Sequence, residues 1–187
     1  MVMKTLLLTA LSAGLAGPIL GQIPQAPFPL TYVPSVPARI EGMPRDLPRA
    51  KGPPLNSAIQ LAKAAVDECA ARGERVSVLV TDSVGEPVVL LSGDGAGTRS
   101  QLITSTKAAA AVKYRMSSGE VAKKAKTDPK LAAEIAANPN IGTIRAGALL
   151  LMNGPELVGA LAVSGATQSL DQDEACAQAA LAKVPLR

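Results

Sequence analysis

The chain is 187 residues long, enough for one domain with appendages, and its 48% apolar and 18% charged residues support a sizeable core rather than global disorder. Histidine and tryptophan are absent, which excludes His-ligated zinc, His-ligated haem iron and Ser-His or Cys-His catalytic pairs, and two cysteines exclude a four-Cys metal site within one chain. The net charge of +4 is spread along the chain without a basic tail, and Phe28, Tyr32 and Tyr114 are the only aromatics, so nucleic acid is not an expected partner.

Lys4 precedes an apolar run, Thr5 to Ala16, that is too short to span a bilayer and breaks at Gly17-Pro18. With the small Gly21 ahead of Gln22, residues 1–21 read as a Sec-type signal peptide, an anchor helix being the alternative. The expected location is then the periplasm or outside the cell, with no membrane span left after signal removal. Residues 22–54 hold nine of the fifteen prolines, which forbid helix and central strand and favour an extended, proline-rich arm. The arm is either a loose spacer or a segment whose Phe28 and Tyr32 dock on its own domain or on a neighbouring copy.

A domain is expected over 55–187. Leu55, Ile59, Ala62, Val66 and Cys69 recur at helical spacing as an inward stripe, and Gly73 is a stop signal. Val76 to Val80 and Pro87 to Leu91 form a hairpin about Asp82-Ser83-Val84-Gly85. A glycine-rich loop, Gly93 to Gly97, leads to a helix from Ser100 to Arg115 with Leu102, Ile103, Thr106, Ala110 and Val112 expected inward. Ser117 and Glu120 make a capping box, and Asp128-Pro129 opens a further helix. Ala148 to Met152 and Leu157 to Val163 pair through Asn153-Gly154, and Asp171 with Glu174 is expected to cap the last helix. The order α-ββ-ααα-ββ-α, with hairpins in place of crossovers, predicts an α+β fold: an antiparallel sheet with helices on its faces.

Four stretches resemble the haem-binding and haem-degrading GlcG/HbpS family: Val78 to Gly85, Ser105-Thr106-Lys107-Ala108, Leu157 to Gly165, and Asp171 to Ala179. The last two are the most specific, and the resemblance covers roughly residues 55–184. It implies a profilin-like architecture, self-assembly into a homo-oligomer, and haem or another tetrapyrrole as ligand. In the family pattern a His often follows the loop glycines; here the loop reads Gly95-Ala96-Gly97-Thr98-Arg99.

The loop amides and the following helix start favour an anion, and Arg99 beside them can clamp it in a bidentate fashion; the alternative is a tight turn. Gly95, Gly97 and Arg99 are therefore candidate ligand-binding residues. Lys107, at the family's lysine position, is a fourth, as a pocket cation or else a solvated lysine. Tyr114, Met116, Met152 or a lysine are the axial candidates for haem iron, none of them compelling, so the metal ligand stays open. The basic stretch from Lys113 to Lys130 reads as a solvated face. No carboxylate pair has a catalytic spacing and Ser164 lacks a base, so a binder without dedicated catalysis is favoured. An oligomeric interaction module that has lost its ligand site is the alternative, and an enzyme acting on a small carboxylate ranks third. In the resembled fold the first and last helices lie side by side, so Cys69 and Cys176 are expected to form a disulfide in an oxidising compartment, two buried thiols being the alternative.

Overall fold

The computed structural model describes residues 50–141, 144–169 and 171–186. The expected signal peptide and the arm up to residue 49 lie outside them. Nine elements follow in chain order: α1 (Leu55–Ala70), β1 (Ser77–Thr81), β2 (Pro87–Ser92), α2 (Thr98–Tyr114), α3 (Ser118–Ala125), α4 (Pro129–Ala137), β3 (Ala148–Asn153), β4 (Glu156–Ser164) and α5 (Gln172–Lys183). The strands form one antiparallel sheet in the order β2-β1-β4-β3, so the fold is α+β as the hairpin signals predict. No described helix is long and apolar enough to cross a membrane.

Strand alternation explains the layers. Val78 and Val80 of β1, with Leu161 and Val163 of β4, join Leu61, Ala65 and Cys69 of α1 and Ala177 and Ala180 of α5 in one apolar layer. The intervening Leu79, Ala160 and Ala162 face the other way, against Ala108 and Ala111 of α2. A third cluster, of Ala110, Val121, Ile135 and Ile141, fastens α3 and α4 behind α2. The two central strands are therefore covered on both faces.

The inward stripes differ in part from the expected ones. On α1, Leu55 and Ile59 are 58% and 44% exposed, while Ala58, Leu61, Ala62, Ala65 and Cys69 are buried. On α2, Leu102 is 69% exposed, while Ser100, Thr104, Lys107, Ala108, Ala110 and Ala111 are buried. Small side chains let a helix lie close to the sheet, so these contacts are made by alanine and the larger residues turn outward. The expected cap at Asp171 is also absent: its side chain makes no capping bond. By contrast, Ser117 and Glu120 complete their capping box, and Asp128 accepts from Leu131 N.

Gly159 shows why β4 needs glycine. A Cβ there would stand 2.0 Å from the Thr81 carbonyl oxygen, where β1 and β4 press together. Cys69 on α1 and Cys176 on α5 face each other at disulfide geometry, with their Cα atoms 5.4 Å apart.

Candidate functional site

The first residues of β1 lie beside the last residues of β2 and β4, because Ser77 pairs with both Ser92 and Ser164. The glycine-rich loop, the start of α2 and the segment entering β1 gather at this end of the sheet. They enclose a cleft of 890 Å³. That volume falls within the range of about 300–1,000 Å³ typical of small-molecule sites. Arg75, Arg99 and Arg145, all exposed, supply guanidinium groups on its wall. Ile103, Pro139 and Ile141 supply apolar surface, and Ser100, Thr106, Ser164 and Thr167 supply hydroxyls.

Local packing holds these groups in place. Gly95 has φ +74°, and a Cβ there would meet the Arg75 side chain at 3.0 Å, so the loop lies directly on that arginine. Gly97 is the extended N-cap of α2, and its carbonyl accepts from Ser100 N at 2.9 Å. Gly165 brings the end of β4 against the backbone of Arg75, since a Cβ would stand 2.6 Å from the Arg75 oxygen. Glu74, only 4% exposed, accepts from the backbone nitrogens of Thr167 and Gln168, each at 2.9 Å, and from the Thr167 hydroxyl at 3.2 Å. These donors favour the charged carboxylate and hold the Glu74 pKa below its ordinary value. The loop after β4 is thereby tied to the segment before β1.

Of the four candidate ligand-binding residues, Gly95, Gly97 and Arg99 line this cleft together. Lys107 stands apart from it, 1% exposed. Its Nζ donates to Asp173 Oδ2 at 2.7 Å and to the Val163 carbonyl at 2.9 Å. The other Asp173 oxygen accepts from Ala166 N at 3.0 Å, so the pair ties α2, α5 and the loop after β4 together. Burial pushes the Lys107 ammonium below its ordinary pKa, and Asp173 draws it back up. Gly147 leaves room for this ammonium, which would lie 2.7 Å from a Cβ at that position.

Sequence reasoning missed Arg75, Arg145 and Glu74 as parts of the site. Neither arginine belongs to a motif, and only the meeting of β1, β4 and the segment before β3 brings them beside Arg99. The one available signal was the Ser164-Gly165 pair at the end of a recognisable strand.

The residues of the cleft fit a tetrapyrrole: three guanidinium groups could pair with its carboxylates, and Ile103, Pro139 and Ile141 add apolar surface. It does not offer iron a strong axial ligand, since no Met, Tyr, Cys or Lys is among its described lining residues. Tyr114 and Met116 instead pack with the α3–α4 cluster, where Tyr114 donates to Glu134 at 3.2 Å, and Met152 is exposed on β3. Among the described residues no group of three or more His, Cys, Asp or Glu is placed to hold a metal ion.

The family model of the HbpS-like haem-degrading protein matches residues 54–182. The solved structure of HbpS is 32% identical, covers 76% of this chain and 96% of its own, and superposes with a TM-score of 0.65. A double mutant of HbpS from Streptomyces reticuli is 30% identical over 76% of this chain and 93% of that one, with a TM-score of 0.64. PduOC in its haem complex, 24% identical over 73% of this chain and 97% of that one, shares the fold with a TM-score of 0.65. No curated protein matches the sequence. The helices, the hairpin pairs and the matched length lead to one assignment: the chain belongs to the HbpS-like haem-degrading protein family.

Proposed function

We propose that the protein binds an anionic tetrapyrrole, haem in the first instance, in the cleft rimmed by Arg75, Arg99 and Arg145. The observation that carries this reading is the convergence of three guanidinium groups on a partly apolar cleft of 890 Å³. In it the arginines hold the carboxylates, Gly95 and Gly97 let the loop approach the ligand, and Ile103 and Ile141 cover part of the plane. Recognition rests on the acidic groups, and iron is held without a strong side-chain ligand from the cleft. The protein works as a binder without dedicated catalysis, in the periplasm or outside the cell, as a homo-oligomer. There the Cys69–Cys176 bond persists.

A haemin titration followed in the Soret band tests the reading. Saturable binding at a fixed stoichiometry is expected. Featureless, non-saturating absorbance contradicts it and favours the second reading, an oligomeric interaction module without a ligand site. The lack of a strong iron ligand on the cleft wall is the observation on that side.

A further inference from the structure

A second cavity, of 510 Å³, lies between α3 and α5 and shares only Arg145 with the cleft. Its charges are sorted by wall. Lys123 on α3 and Lys126 just after it, with Arg145, carry the positive side; Asp171 and Glu174, at the start of α5, carry the negative side. No ion pair joins these five groups among the described residues, although many opposite charges elsewhere on the molecule do pair. The space between them is kept open by small residues, Gly119, Ala122, Ala146 and Ala175, and Ile144 adds apolar surface.

One lining carboxylate carries an unmet demand. Glu174 Oε2 is buried and has no hydrogen-bond partner among the described residues. A buried acceptor without a donor is disfavoured, more so when it is charged. Gly119 permits this placement, since a Cβ there would stand 2.4 Å from that oxygen. Glu174 is also a lining residue of the cavity, so its carboxylate is within reach of a donor held there.

From opposite charges held apart, an unpartnered carboxylate oxygen and an aliphatic lining, we propose that this cavity binds a small zwitterion, an α-amino acid with an aliphatic side chain. Its ammonium donates to Glu174, its carboxylate meets Lys123, Lys126 or Arg145, and its side chain lies against Ile144 and the alanines. The site shares Arg145 with the tetrapyrrole cleft and is otherwise lined by different residues.

The test is a calorimetric or NMR titration of the full chain with L-leucine, with isopentylamine and isocaproate as controls that each lack one of the two charges. Saturable binding of leucine is expected, with each control at least about tenfold weaker, since each forfeits one charge-assisted contact. Glu174→Gln and Lys123→Ala/Lys126→Ala should each weaken leucine binding by about tenfold or more, and Arg99→Ala should leave it unchanged. The lysines stand exposed on α3 and just after it, so their variant keeps the test valid where Glu174→Gln fails to fold. No saturable response to leucine, a control that binds as well as leucine, or indifference to the lysine variant would each overturn the proposal. Haemin binding is unaffected by any of these results.

Discussion

Lys107 and Asp173 belong to two different sequence motifs, and the fold makes them one ion pair in which Lys107 is 1% exposed. Removing one partner strands the other charge in the interior. Lys107→Met is therefore expected to lower unfolding stability by about 3–5 kcal/mol, and the double variant Lys107→Met/Asp173→Leu by less than the two single changes added together. Chemical denaturation of the three variants measures this; simple additivity would show that the pair does not act as a unit. Glu74 gives a pH dependence. Its pKa is held below the ordinary 4.5, so its contribution is present above that value and is lost as the pH falls through the folded-state value. Amide-exchange protection of Thr167 and Gln168 should persist above the ordinary value of 4.5 and fall away only as the pH drops through the lowered folded-state value, and Glu74→Gln should lose it throughout. Protection that is unchanged in acid would contradict this role. At this scale the sequence was only half legible. Arg99 and the loop glycines stand in a local pattern that signals an anion site. Arg75 and Arg145 join them only through strand pairing, which no local spacing reveals, and Lys107 at a motif position proved to be inside the protein.

The elements themselves were easier to read than their orientation. Turn chemistry and caps placed every helix and strand within a few residues, because Asn153-Gly154, Ser117 with Glu120, and Asp128-Pro129 act locally. On α1 and α2 part of the expected inward stripe holds, at Ala62, Val66, Cys69 and Ala110, and the large residues at the outer turns were misread. Leu55, Ile59 and Leu102 face outward, and Ala108 and Ala111 meet Ala160 and Ala162 at the sheet. Close approach selects small side chains, and hydropathy alone ranks leucine above them. The link between α1 and α5 was expected from the family resemblance, in whose fold the first and last helices lie side by side. The Cys69–Cys176 bond spans a sequence separation of 107. For a loop of about 100 residues the chain-entropy model gives about 4–5 kcal/mol as an upper figure. Cys69→Ala/Cys176→Ala should thus unfold at lower denaturant by up to that amount. Two titratable thiols in the denatured, unreduced protein would show that the bond does not form.

Among the described residues the sheet has its two central strands covered on both faces, an arginine-bearing cleft at one end, and β2 and β3 as edge strands. Assembly into a homo-oligomer is expected from light scattering of the mature chain, and a monomer at tens of micromolar would contradict it. The arm's Phe28 and Tyr32 lie outside the described residues, and deletion of 22–50 tests their contribution. The central claim is that the arginine-rimmed cleft is the tetrapyrrole site. The most direct measurement is haemin affinity for the wild type and for Arg99→Ala/Arg145→Ala, each change removing a guanidinium from an exposed rim where it carries little folding energy. The account predicts saturable wild-type binding and a double variant weaker by about tenfold or more, from the loss of charge-assisted contacts to the carboxylates. An affinity equal to wild type in a folded double variant would place the ligand elsewhere and contradict the account.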